Sequence, residues 1–239
     1  MGSHIASIGI HSRKELQHYL KIGLEMAAGS EHVDADTGTS YWLPNSSAGL
    51  WVHVDAACFV PTHQAQSSIK FRPIHWIEND DHCPYCAMLG IEVLNHEETV
   101  LYPLPVTFGN TAKARQEIVL GDSVELAITA FVESGQSWKN IAAFEAEQEA
   151  GNLIGPGWVF PFGPYSALDS QRTNSPRAAL YGVVETLSHH RNSVTGHQYR
   201  SAQLQCGPYQ YSSVMADDTL PELAVGHVVY VECWMCVAN

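Results

Sequence analysis

The stretches Gly121-Asp-Ser-Val-Glu-Leu-Ala-Ile-Thr-Ala-Phe131 and Gly226-His-Val-Val-Tyr-Val-Glu-Cys-Trp-Met-Cys236 decide how this chain is read. Each opens on a glycine, passes a polar residue and runs on into alternating positions, the period of two that marks a β-strand. What precedes them also corresponds. From Ile69 the chain reads as strand, polar tip (Glu78 to Cys86), strand and interruption, and from Ala179 that order returns with a tip at Arg191 to His197. The openings lie 110 residues apart and the closings 105, a match of pattern with little identity. A mainly β protein is expected, in which one small β-unit is written twice by internal duplication.

Outward from these units, Ser12-Arg-Lys-Glu15 is a capping box that opens a helix with Leu16, Tyr19, Leu20, Gly23 and Ala27 on one face and Gly29 as its stop. Residues 30–49, rich in Gly, Ser, Asp and Thr around Tyr41-Trp42, read as loop. Leu50 to Val60 alternates as one strand, with Trp51, His53 and Asp55 sharing a face. Pro103 and Pro105 make Val100 to Gly109 an edge strand or an extended loop. Ser137 to Ala150 is the connecting helix candidate, with Trp138, Ile141, Ala142 and Glu145 at helical spacing.

The expected division is an N-terminal helix, first unit and connecting helix over 5–150, an ordered linker over 151–169 and a second unit over 170–239. Each unit, with about five short strands, one central hairpin and a Gly-led closing strand, resembles an OB-type or similar small Greek-key β-barrel. The linker joins Gly155-Pro-Gly157, Pro161, Gly163 and Pro164 to Trp158, Phe160, Phe162 and Tyr165. A flexible spacer does not carry such aromatics, so the segment should pack in an ordered way.

The 239 residues hold 12 basic and 25 acidic side chains, a net charge of −13, which opposes attraction to nucleic-acid phosphates and anionic membranes. No secretory pattern opens the chain, and the apolar run Ala224 to Val237 is broken by His227 and Glu232 and is short for a membrane span. With 6 cysteines and no such signal, reduced thiols in a cytoplasm are expected.

Cys83-Pro-Tyr-Cys86 resembles the active-site tetrapeptide of glutaredoxins, and the resemblance implies Cys83 as nucleophile and Cys86 as resolving thiol. Glu78-Asn-Asp-Asp81 just before it would raise a thiol pKa rather than lower it. The same residues with His82 form half a zinc knuckle, because a Cys-x-x-Cys turn aims both sulfurs at one point, and a closed site needs further donors. A plain turn with two free thiols is the third reading. Cys233-Trp-Met-Cys236 does not complete the site, since residues three apart on a regular strand face opposite ways. His53 and Asp55 are read as a solvated strand face.

OB-type hairpins and their sheet face often bind oligonucleotides or oligosaccharides. On the second hairpin His189, His190, Arg191, His197 and Arg200 cluster with Tyr199, opposite in sign to the acidic first tip. So few cations suit weak single-stranded nucleic-acid or oligosaccharide binding, or contact between complementary hairpins. The favoured expectation is a non-enzymatic binding or accessory protein. Its surface would combine Trp158, Phe160, Phe162 and Tyr165 with the hairpin residues Arg191, Tyr199 and Arg200, for a protein partner or self-association, with zinc at the first tip as the one cofactor considered.

Overall fold

In the computed structural model, which describes residues 3–28, 40–45, 48–53, 58–65, 67–77, 87–148, 154–162 and 175–237, the chain opens with two helices, α1 (Ser3–Ala6) and α2 (Arg13–Ala28). The capping box is formed. Glu15 Oε2 accepts from the Ser12 and His11 amides (2.9 and 2.7 Å), and Ser12 Oγ accepts from the Glu15 amide (3.2 Å). Leu16 and Tyr19 are buried as the helical spacing requires.

A three-stranded antiparallel sheet follows: β1 (Ser40–Asn45), β2 (Ala48–His53) and β3 (Cys58–His63). Two expectations are corrected here. The segment read as loop contains β1, and the single strand read over 50–60 is two strands paired so that Trp51 faces Val60. Alternation has the same period on both arms of a hairpin, and no glycine or proline marks this reversal.

Next come β4 (Ile69–Ile77), β5 (Met88–Leu94), β6 (Val100–Phe108), α3 (Thr111–Glu117), β7 (Val124–Leu126) and β8 (Ile128–Trp138). They are followed by α4 (Ile141–Glu147), β9 (Val159–Pro161), β10 (Arg177–Arg191), β11 (Gln198–Cys206), β12 (Tyr209–Ala216) and β13 (Val228–Val237). The molecule is thus mainly β. Strands β8, β12, β11, β10 and β13 close on one another as a barrel, β12 and β8 running parallel and every other pair antiparallel. The meander β4-β5-β6 joins it through a short parallel pairing of β6 with β13, and β7 lies antiparallel to β4.

Pro103 and Pro105 sit in a strand that is central by order, which departs from the edge or loop expected. The departure is resolved locally: β13 pairs only with Thr107 and Phe108 of β6, so both prolines lie where that side of the strand has no ladder to fill. The connecting helix starts later than its spacing predicted, because β8 runs on to Trp138 and the Asn140 side chain caps α4 by accepting from the Ala143 amide (2.9 Å). Asn110 does the same for α3, a helix the sequence reading left as an interruption.

The two meanders share their register. A bulge follows Pro73, which pairs with Ile91, and another follows Val184, which pairs with Leu204. Ile69 pairs with Leu126, and Leu180 with Val231. Gly121 donates its N–H to the Pro73 carbonyl and Gly226 donates to that of Val184, both at 2.8 Å. Both glycines hold the left-handed backbone, φ 90° and 85°, just before the closing strands. A side chain there meets no neighbour within 4 Å, so backbone strain alone sets the cost of one. Gly121→Ala and Gly226→Ala should each destabilise the protein by about 1 kcal/mol, read from urea unfolding midpoints at unchanged slope.

Candidate binding surface: an aromatic strip on the barrel exterior

β9 is a short edge strand that begins two residues after Gly155-Pro-Gly157 and ends on Pro161, a residue that cannot extend a ladder. Its backbone is fastened to β10. The Gly157 amide donates to Tyr181 O (2.6 Å), the Tyr181 amide to Trp158 O (2.9 Å) and the Phe162 amide to Arg177 O (2.9 Å). With Val159 buried in the barrel core, strand alternation sends Trp158, Phe160 and Phe162 to the other side. Trp158 is 49% exposed and Phe162 44%.

These rings continue across the sheet. Trp158 stacks on Phe160 (5.4 Å between centroids, planes 14° apart), and Phe160 meets the Tyr181 ring edge-on at 6.0 Å. Tyr181 lies opposite Tyr230 on β13, their centroids 4.9 Å apart. From α4, Phe144 reaches Tyr181 (6.3 Å) and packs edge-on against Trp138 (4.9 Å), closing one end of the strip. Such offset and edge-to-face pairs hold ring orientation beyond what area burial supplies.

Charge borders the strip. The Tyr230 hydroxyl donates to Glu232 Oε1 (2.6 Å), while Arg177 Nη2 lies 2.5 Å from Glu133 Oε2 and 3.8 Å from Glu232 Oε2. Burial first and the Glu232 carboxylate second push the Tyr181 phenol up, and burial with the hydrogen bond to Glu232 does the same for Tyr230, so both stay neutral over the physiological range. The surface offers neutral aromatic rings beside two carboxylates and one arginine. That chemistry suits an apolar or cationic contact and opposes phosphate.

The residues expected to share one surface are separated. Arg191 is exposed on the second hairpin, its Nε donating to Gly196 O (2.9 Å), and lies ten positions along β10 from Tyr181, about 33 Å at strand rise. Tyr199 is fully buried with its ring stacked on His190 (5.0 Å), and Arg200 is buried with Nη2 donating to the Asp217 carbonyl (2.6 Å). Both were expected on the contact surface. Neither presents a face to an outside molecule: the N-terminal elements cover Tyr199, which shares a core with Ile5, Ile8, Tyr19, Leu50, Phe131 and Val214, while Arg200 takes the other face of β11 and is paired with Met215 of the barrel core.

His82, Cys83, Cys86 and Tyr165 lie outside the described residues, as does Asp55. His53 is not on a solvated face; it is buried, with Nε2 2.9 Å from Gly109 O. Cys233 and Cys236 point into different cores, Cys233 Sγ donating to Ala178 O (3.2 Å) and Cys236 Sγ facing Pro61 O (3.6 Å). Burial raises both thiols, that of Cys236 to about 12, and takes Cys206 to about 12 as well. Among the described residues no three His, Cys, Asp or Glu side chains converge to hold a metal, and no helix is long and apolar enough to cross a membrane.

Sequence reading missed the part that Tyr181, Tyr230 and Phe144 play in the strip. The available signal was parity: Tyr181 and Tyr230 fall on the outward positions of their strands, one after Leu180 and one before Val231, both buried in the barrel core. No protein-family model, curated protein or solved structure matches this chain. Thiol titration with a chromogenic disulfide should leave Cys206, Cys233 and Cys236 unreacted in the native protein and reactive in guanidinium, assigned by peptide mapping. Rapid native reaction at Cys233 would contradict its place in the core.

Proposed function

We propose that this protein is a non-enzymatic binding protein, made of two OB-like β-units related by duplication, whose contact surface is the strip Trp158, Phe160 and Phe162 backed by Tyr181 and Tyr230. The matching registers of the two meanders, and the equivalent roles of Gly121 and Gly226, support the duplication. The observation that carries the binding reading is the half-exposure of Trp158 and Phe162 in a row whose middle ring is locked by neighbours. Large rings held in one orientation lose little entropy on contact, which is how aromatic anchors act at interfaces. The partner is a protein surface, a second copy of this chain included, since a net charge of −13 and the carboxylates of Glu133 and Glu232 work against nucleic acid. The first tip, with His82, Cys83 and Cys86, brings no observation to this reading or to zinc or dithiol chemistry.

A photoreactive benzoylphenylalanine at Phe162 should give one discrete crosslinked species, either a dimer of this chain or a complex with one protein. Adding Trp158→Ala to the benzoylphenylalanine protein should remove that species, and the double variant Trp158→Ala with Phe162→Ala, without the probe, should weaken the association at least tenfold with far-ultraviolet circular dichroism unchanged. If the double variant associates as tightly as the wild type, the strip is not the contact surface. If it unfolds, the rings belong to the fold.

A further inference from the structure

The strip leaves unexplained why the opposite business of the second hairpin is crowded with imidazoles. Of the 13 histidines in the chain, His11, His63, His189, His190 and His197 gather where the N-terminal elements meet β10 and β11. The N-terminal elements act there as a cover. Ile5, Ile8, Ile10, Leu16, Tyr19, Leu50 and Val52 pack on Phe131, Tyr199, Val214 and Cys236, which belong to four barrel strands. Hydrogen bonds hold the edge: Ser7 Oγ to Val132 O (2.8 Å), Asn192 Nδ2 to Ile8 O (2.8 Å), Tyr19 Oη to Asn192 Oδ1 (2.9 Å) and Thr195 Oγ1 to Gly9 O (2.6 Å).

Among the described residues, one imidazole in this region has neither nitrogen satisfied. His63, at the end of β3, is 5% exposed and neither ring nitrogen has a hydrogen-bond partner. Its ring faces that of His190, 6.5 Å away. His190 in turn stacks on Tyr199 and has Nε2 2.8 Å from Ser201 Oγ. A proton on His63 would therefore be a buried positive charge with no acceptor, its ring facing a second histidine.

We infer that the N-terminal elements α1, α2 and β1 to β3 form an acid-releasable cover over the barrel face, with His63 as the group whose protonation undocks them. Burial, then the His190 charge, lowers the His63 pKa from 6.5 to about 4. A histidine depressed in the closed state contributes stability that is complete above pH 6.5 and is lost as pH falls towards 4. Over that window the ratio of open to closed protein rises by up to about tenfold per pH unit from this residue. His190, also lowered, first by burial and then by His189, adds in the same direction.

The other charges at the junction oppose or stand aside. His197 Nε2 lies 2.9 Å from Glu15 Oε1, with His11 edge-on to the His197 ring at 4.7 Å. Burial works to raise the Glu15 carboxyl, but hydrogen bonds from the His11 amide, His197 and the Ser12 amide hold it below its ordinary value. That contact is lost when Glu15 is protonated. It opens on a groove of about 460 Å³ lined by His11, His197, Gln198, Asp217, Asp218 and Pro221, where water screens it. Asp217 is engaged by Arg200 Nε (3.3 Å) and approached by His189 (3.9 Å).

Hydrogen exchange of the full chain, corrected for intrinsic rates, tests this at pH 7 and pH 5. Amides of α2, β2 and β3 should lose protection about tenfold or more at pH 5 while those of β10 and β13 keep theirs, and His63→Leu should flatten the difference. Equal loss in cover and barrel, or a His63→Leu protein as acid-sensitive as the wild type, overturns the inference. Should His63→Leu fail to fold, carbon-detected histidine titration of the wild type decides: a His63 midpoint near 4 is expected, and one at or above 6 overturns it.

Discussion

The rest of the structure depends on the antiparallel pairing of β8 with β13. It runs from Ile128 opposite Val237 to Trp138 opposite Val228, and from Ile128 to Val132 every residue of β8 is buried. Ala130, Val132, Cys233 and Met235 enter the barrel core, while Phe131 and Cys236 enter the core beneath the N-terminal elements. Each strand also carries a second neighbour: β8 runs parallel to β12, and β13 is antiparallel to β10 and reaches β6. Removing this one pairing would open the barrel and split the core beneath the N-terminal elements, to which β8 gives Phe131 and β13 gives Cys236. The bulge between Glu232 and Cys233 is part of the same design, because it leaves Glu133 available to Arg177 at the border of the strip.

A barrel closed around such a pair provides rigid faces, and this chain uses two of them differently. One carries Trp158, Phe160, Tyr181 and Tyr230 outward, with Trp158 and Phe162 half-exposed. The other, with Tyr199 and Val214, is covered by the chain's own helices and three-stranded sheet. Burial of Tyr199 follows from that cover, whatever its suitability for stacking.

Much of the fold was legible because local rules act within a few residues. The Gly226-led closing strand, the tip over Arg191 to His197 and the capping box of Ser12 and Glu15 stand as read, while the Gly121-led stretch is divided between β7 and β8. What could not be read are contacts between segments far apart in sequence. No alternation shows that Ser7 bonds to Val132 or that Asn192 bonds to Ile8, and the latter contact buries Asn192 at a seam under the second hairpin. The strip was half legible: Trp158, Phe160 and Phe162 announce themselves by number and spacing, whereas Tyr181 and Tyr230 join only through pairing of β10 with β13. The break between β2 and β3 was hidden because both arms keep the same alternation.

Native-state hydrogen exchange resolved to single amides tests the central claim most directly, since it ranks every pairing by the free energy needed to open it. Ladder amides of β8 and β13, those of Ala130 and Val231 among them, should exchange only through global unfolding and follow the full denaturant dependence. If they exchange before the amides at the centre of the β10-β11 hairpin, the β8 to β13 pairing is not what holds the molecule together.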